Sequence, residues 1–374
     1  MHIAVNAHLL AHTRSFRRAG VSHYIEQTLI HLGKRDLHNQ YTIYTTRGLR
    51  DLPLPANFRI HSSRLPTINP RVRIPWEQLL APLLLRLNGA DLFHGTLNVV
   101  PLACPVPSVV TIHDLAFIRF PETFRAYNRT YLDFATRLTA RRAARILAVS
   151  EHTRREVIGL LGVPPERVIV TPNAARAIFQ PSPSATVAQF RAQHSLPEQF
   201  VLYVGTLEPR KNLPTLLDAY AEVARQSRVP LFVGGGKGWL YEAIFARLAA
   251  LGLEDRVRFI GYLGEEELPL WYAAATAFVF PSIYEGFGMP PLEAMACGTP
   301  VITSNTSSLP EVVGDAGLMV DPRDPSALSS AILRVLNDPD LRAEMRTRGL
   351  QQAARFRWET TAERTLQAYA EAHG

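Results

Sequence analysis

Two glutamates, Glu285 and Glu293, flank a glycine turn in the stretch PSIYEGFGMPPLEAMACGTPV, Pro281 to Val301. The turn passes through Gly286 and Gly288 into Pro290 and Pro291, after which Leu292, Ala294, Met295 and Ala296 favour helix until Gly298 closes the segment. Proline suits the first helical turn, where its missing N–H is not needed. The apolar run 277–280 just before it predicts a buried strand. Strand, glycine turn and helix start together aim backbone N–H groups and the positive end of a helix dipole at an anion. A second turn, VGTLEPRKN from Val204 to Asn212, sets Arg210 beside Lys211 ahead of a helix expected from Pro214. A guanidinium fork and an ammonium make a diphosphate clamp. A third candidate is His113-Asp114 at the end of the strand expected over 108–112. Strand register would point the two side chains to opposite faces, so a structural histidine and a polar site both fit. The run Gly234-Gly235-Gly236-Lys237-Gly238 lacks Ser or Thr after its lysine and predicts a tight turn rather than a phosphate loop. Tyr262 follows another strand that leaves into a glycine turn.

These motifs need a scaffold that places several turns side by side. In residues 1–180, strand-like runs at 3–6, 41–45, 92–94, 108–112, 146–149 and 168–171 alternate with helical segments. Beyond them come 200–205, 231–234, 257–261, 277–280, 300–303 and 318–320. Such alternation predicts an α/β fold with two doubly wound, largely parallel sheets. A chain of 374 residues exceeds the usual size of one core, so two domains are expected. The Ser182-Pro183-Ser184 stretch places the boundary near 175–195. The domains are read as 1–180 and 190–355, with ligands at the C-terminal ends of strands in the crevice between them. The loop 11–20, with Arg14, Arg17 and Arg18, should then line a cleft, contacting phosphate or solvent.

The net charge of +7 is uneven. Residues 1–180 hold 23 Lys+Arg against 11 Asp+Glu, and the remainder carries a net −5. The first half therefore suits an anionic partner such as a lipid surface or phosphorylated acceptor, although solvated faces explain the charge equally well. Arginines 125, 129, 137, 141, 142 and 145 surround Tyr131, Phe134 and Leu138 at helical spacing. That helix rests on an anionic membrane or presents a wet face. No nucleic-acid motif accompanies the charge. The run 79–85 is too short to span a bilayer, Cys104 and Cys297 offer no disulfide framework, and no signal-type segment opens the chain. The expectation is a soluble cytoplasmic protein, with peripheral contact at the inner membrane face.

The segments EGFGMPPLE and GTLEPRKN, the His-Asp pair and the tail Phe356-Arg357-Trp358 together resemble the retaining nucleotide-sugar glycosyltransferases of family 4, over essentially the whole chain. Val149-Ser150-Glu151, Thr171-Pro172-Asn173 and 311–317 extend the likeness. The resemblance implies a GT-B fold, two Rossmann-like domains facing across a cleft, with a C-terminal helix over 356–374 crossing back onto the first domain. It implies sugar transfer from a nucleoside diphosphate without an obligatory metal or cofactor. It gives catalytic roles to His113, Arg210, Lys211 and Glu285. Donor binding falls to Gly20, Thr206, Tyr262, Phe287, Gly288, Met289, Pro290, Leu292 and Glu293, with Glu293 on the ribose hydroxyls and Tyr262 near the base. Many relatives carry arginine where this chain has Thr206, which leaves the clamp to Arg210 and Lys211. The look is that of bacterial mannosyltransferases using GDP-mannose, with a glycan or lipid-linked acceptor held by the first domain. A sugar-nucleotide epimerase of the same architecture and a non-catalytic binding protein are the alternatives.

Overall fold

The computed structural model describes residues 1–10, 20–46, 52–123 and 126–374, the side chains of 126–128 excepted. The loop arginines 14, 17 and 18, and Arg125, lie outside the described residues. The chain divides into two compact units, Met1–Asn173 with Arg357–Gly374, and Ala174–Phe356.

The first unit is built on seven parallel strands: β1 (His2–Ala7), β2 (Gln40–Thr45), β3 (Phe58–Ser62), β4 (Leu92–Gly95), β5 (Ser108–Ile112), β6 (Arg145–Ala148) and β7 (Val168–Val170). Their order is β3-β2-β1-β4-β5-β6-β7. Helices cover the sheet, which explains why β4 and β5 are buried at every position and read as unbroken apolar runs. β3 departs from that pattern. Only Phe58 of FRIHS is buried, because the strand closes the sheet's edge, and the sequence alternation did not mark it. The C-terminal helix Trp358–His373 belongs to this unit. It buries Trp358, Thr361, Ala362, Thr365 and Tyr369, a helical spacing, and packs against the helix Gly20–Arg35 and β4 to β7. On the helix Ala126–Arg142, Arg129, Arg141 and Arg142 are exposed, and two of its arginines also bond within the unit. Arg137 pairs with Asp133 at 2.8 Å, Arg142 donates to the Leu102 carbonyl, and nearby Arg145 pairs with Glu371 of the C-terminal helix at 2.8 Å.

The second unit holds six parallel strands: β8 (Val201–Val204), β9 (Leu231–Gly234), β10 (Val257–Gly261), β11 (Ala277–Phe280), β12 (Val301–Ser304) and β13 (Leu318–Val320). Their order, β10-β9-β8-β11-β12-β13, reverses direction between β8 and β11. The first sheet reverses between β1 and β4 in the same way. Connections on either side of such a switch point run to opposite faces of the sheet, leaving a crevice beyond the strand ends where ligands collect. Among the described residues no helix is long and apolar enough to cross a membrane.

Candidate functional site

In the second unit the two motif turns leave the two strands that flank the switch point. β8 runs into Gly205–Asn212, and β11 runs into Pro281–Gly288 before the helix Met289–Ala296. Residues 74 apart in sequence thus become neighbours. Lys211 donates its ammonium to Oε1 of Glu285, and Arg210 reaches Oε2 at 3.2 Å and the Tyr284 carbonyl at 2.7 Å. The Ser282 hydroxyl donates to the same Oε1 at 2.7 Å, with the Arg210 carbonyl 3.1 Å away as its alternative acceptor, and Ile283 N–H donates to that carbonyl at 3.0 Å. The second nitrogen of Arg210 pairs with Glu208 at 2.8 Å. Burial raises the Glu285 carboxyl's pKa, but the charges of Lys211 and Arg210 outweigh that and hold it below the usual range. Two cations and two carboxylates, all at most 16% exposed, therefore balance in the ligand-free site.

Several local devices hold this geometry. Asn212 takes a left-handed conformation, φ 59°, and its amide donates to the Pro281 and Pro322 carbonyls, tying the cation turn to the β11 turn. Ser307 accepts from the Glu285 N–H at 3.0 Å, and the Ser308 hydroxyl lies within donating distance of the Phe287 carbonyl at 2.6 Å or, alternatively, the Glu285 carbonyl at 2.9 Å. Gly288 caps the helix at φ 111°, and a Cβ there would meet Leu309 at 2.8 Å. Pro290 and Pro291 carry no N–H and Leu292 N–H turns back to the Gly288 carbonyl, so the amides this turn offers an anion are those of Phe287, Gly288 and Met289. The side chains of Phe287 and Leu292 are buried in the core, so these residues can serve a ligand only through the backbone. Met289, Pro290 and Thr206 are partly exposed, and Tyr262 is 45% exposed beyond β10.

Glu293 lies one turn into the helix and is buried. Tyr272 O–H approaches its carboxylate at 3.4 Å. Burial pushes its pKa up to about 7, against the opposing charge of Arg176, which itself pairs with Glu265 at 2.9 Å. The glycine run does not close on itself as the tight turn expected; Gly235 N–H donates to the Gly261 carbonyl and Lys237 bridges Leu207 in parallel, so the run continues past β9 as an extended segment. It packs on the cation turn, where Leu207 N–H meets the Gly236 carbonyl at 3.0 Å and Gly238 N–H the Leu207 carbonyl at 3.1 Å.

The first unit supplies His113 just beyond β5. Its Nε2 lies 2.9 Å from the Thr96 carbonyl, which can only accept, so Nε2 carries the proton and Nδ1 is the ring's acceptor. Burial lowers its pKa, offset in part by that carbonyl and by Asp114. Tyr24 meets the ring edge-on at 4.8 Å. Asp114 has turned away and caps Ala116 N–H at 3.0 Å, so the adjacent pair divides its work. Gly20 opens the helix Gly20–Arg35, with none of the other described residues within 4 Å of where a Cβ would sit.

Residues 186–352 match the family described as glycosyl transferases group 1, and residues 18–176 match Glycosyltransferase Family 4. The O-antigen chain mannosyltransferase B of Escherichia coli is 40% identical over 265 residues, 70% of this chain and 70% of that protein. The chain belongs to the glycosyltransferases of family 4. It also matches the serotype-specific mannosyltransferase WbdA of E. coli at 32% identity, over 61% of this chain but only 29% of that longer protein. Sucrose-phosphate synthase from Thermosynechococcus elongatus superposes with a TM-score of 0.79 at 24% identity, covering 99% of this chain and 98% of that one. WaaG, a glycosyltransferase of lipopolysaccharide biosynthesis, gives 0.74 at 18%, covering 97% and 98%. These share the GT-B fold. Within this family 4 glycosyltransferase, Glu208 and Ser282 are members of the charged cluster that the motifs alone did not single out. Glu208 lies in the GTLEPRKN motif, whereas Ser282 carries no signal beyond its nearness to Glu285.

Proposed function

We propose that this glycosyltransferase moves mannose, with retention, from GDP-mannose to a glycan or lipid-linked acceptor in polysaccharide biosynthesis. The observation that carries the donor reading is the pairing of the Arg210–Lys211 turn with the Glu285 turn on either side of the switch point. A diphosphate arriving there takes over the two cations and the amides of Phe287, Gly288 and Met289, an arrangement already organised for the charge that grows on the leaving group. This chemistry asks for no metal or cofactor. Glu293 accepts from the ribose hydroxyls, Glu285 serves the transferred sugar and Tyr262 lies near the base. His113 serves the sugar as well, and Gly20, having no Cβ, lets the diphosphate approach closely. The first unit holds the acceptor, and the protein works in the cytoplasm with peripheral contact to an anionic membrane. Nucleic acid is not a partner. Mannose is favoured because the relatives at 40% and 32% identity are mannosyltransferases by name.

Thermal shift with GDP, UDP and ADP, followed by competition among nucleotide sugars, tests the donor. GDP and GDP-mannose should stabilise the chain most. A larger shift with UDP or ADP removes the guanosine assignment. Turnover that releases an isomerised sugar without an acceptor removes transfer itself.

A further inference from the structure

One fully buried phenol in the second unit, that of Tyr203 on β8, has no hydrogen-bond partner among the described residues. The hydroxyls of Tyr24, Tyr41, Tyr220, Tyr272 and Tyr369 are comparably buried, and each has one. A hydroxyl closed off from solvent without a partner is destabilising, so an orphan of this kind calls for a reason.

Its place in the fold supplies one. Gly205, two residues on, lies on the same side of the extended chain, and the Tyr203 oxygen sits 2.7 Å from where a Cβ on Gly205 would be. The phenol therefore reaches along the strand towards its C-terminal end, into space that only glycine leaves open. Its ring stacks on Phe280 of the neighbouring strand β11 at 6.1 Å, and the Lys211 ammonium lies 5.1 Å from the centre of the Phe280 ring. The hydroxyl thus ends beside the cluster of Glu208, Arg210, Lys211 and Glu285 at the switch point. Burial, then the negative charges of Glu285 and Glu208, push its pKa well above the usual phenol range, with Arg210 opposing. The group keeps its proton, and towards a carboxylate it can only donate.

In the ligand-free cluster the carboxylates are already served. Glu285 accepts from Lys211, Arg210 and Ser282, and Glu208 pairs with Arg210. A diphosphate alters that balance by competing for the cations. Arg210 is tied to the Tyr284 carbonyl as well, so the pair that opens more readily is Lys211 with Glu285. Glu285 would then be left buried and charged without its ammonium.

We propose that Tyr203 is a positioning residue for Glu285, its O–H donating to the Glu285 carboxylate when a diphosphate draws Lys211 away. The handover keeps Glu285 ionised and in place for the transferred sugar. It rests on the donor reading above, through the claim of the diphosphate on Lys211.

Tyr203→Phe tests the handover, because it deletes the O–H and leaves the stacked ring. Without ligand the variant should melt no lower than the parent, since the group removed has no partner. Calorimetry with whichever of GDP and UDP binds the parent more tightly should show about tenfold weaker affinity in Tyr203→Phe, the effect of one hydrogen bond to a charged group. Added to Glu285→Ala, where the acceptor is gone, the same substitution should change affinity by less than about twofold. A merely structural tyrosine would lower the melting temperature and act alike in both backgrounds. Parent-like affinity in Tyr203→Phe, a lower melting temperature without ligand, or an equal loss on top of Glu285→Ala overturns the proposal. If Lys211→Ala weakens binding while Tyr203→Phe does not, the diphosphate clamp stands and the handover alone falls. If neither nucleotide binds the parent, or Lys211→Ala binds as tightly as the parent, the donor reading falls and takes the handover with it.

Discussion

Lys211 and Glu285, 74 residues apart, form a buried ion pair with the ammonium donating to Oε1. Removing Lys211 leaves Arg210 alone against the two carboxylates of Glu208 and Glu285, whereas neutralising Glu285 as well leaves Arg210 balanced by Glu208. Lys211→Ala should therefore lower the melting temperature and reduce turnover by about two to three orders of magnitude, through lost stabilisation of the leaving diphosphate. Adding Glu285→Gln should recover most of the stability and none of the turnover. Steady-state rates with melting curves on both variants check this, and unchanged turnover in Lys211→Ala would refute the clamp.

The ribose contact proposed for Glu293 would tie donor binding to pH. Its pKa is raised by burial to about 7 from 4.5. A raised carboxyl pKa means that the group's stability contribution is complete below about pH 4.5 and is lost as pH climbs through 7. Glu293→Gln should thus stabilise the ligand-free protein at pH 8 by up to about 3 kcal/mol and leave it little changed at pH 4. Ribose hydroxyls need the ionised carboxylate, so nucleoside diphosphate affinity of the parent should rise between pH 6 and 8. That rise should vanish in Glu293→Gln, and Glu293→Ala should bind the nucleotide more weakly. Calorimetric titrations showing the same pH profile in parent and variant would exclude Glu293 as the ribose acceptor.

Most of the scaffold was legible because burial on both faces writes parallel strands as apolar runs. Among the described residues, β3 is the strand the sequence reading missed, since only Phe58 of FRIHS is buried; the edge strands β10 and β13 are little buried as well, but VRFIG and LMV still read as mostly apolar runs. The glutamate turn and the cation turn were each legible as local patterns. Their mutual neutralisation was not, because it depends on two strands meeting at the switch point. Leu79 to Leu85 read as an apolar run in the sequence, but a run does not say which side of a helix is covered. Leu79 and Leu83 are exposed and Leu85 is buried.

His94 should govern part of the acid sensitivity. It is fully buried, with Nδ1 2.7 Å from the Tyr369 hydroxyl of the C-terminal helix and Nε2 2.9 Å from Thr111. Burial, with His113 nearby, pushes its pKa down to about 3 from 6.5. A depressed histidine pKa means that the folded chain binds fewer protons than the unfolded one, so stability is present above pH 6.5 and is lost as pH falls towards 3. In that window the group alone contributes a slope of about 1.4 kcal/mol per pH unit. Denaturant titrations of His94→Asn should show a shallower acid limb by about one proton, on top of a lower stability at neutral pH. An identical slope in both proteins would show that the ring is already charged in the folded state.

The glycine run offers a test that separates a structural segment from a phosphate loop. Gly235 has φ 145°, and a Cβ there would lie 1.9 Å from the Gly205 carbonyl oxygen, so alanine cannot be added without moving the turn that carries Arg210 and Lys211. Gly235→Ala should lower stability by about 2 kcal/mol or more and reduce turnover as well, because the cation turn hangs on the backbone bonds to Gly236 and Gly238. Lys237 separates the two readings. Its ammonium lies over the rings of Tyr241 and Phe245 at 5.1 and 5.5 Å, where the ring faces already attract it. Lys237→Ala should therefore leave nucleoside diphosphate affinity within about twofold of the parent, since a cation–π contact contributes only about 1 kcal/mol at a partly exposed site. Affinity measured by calorimetry that falls a hundredfold in Lys237→Ala would make this lysine, rather than Lys211, the phosphate ligand, and would move the donor site one strand across the sheet from β8 to β9.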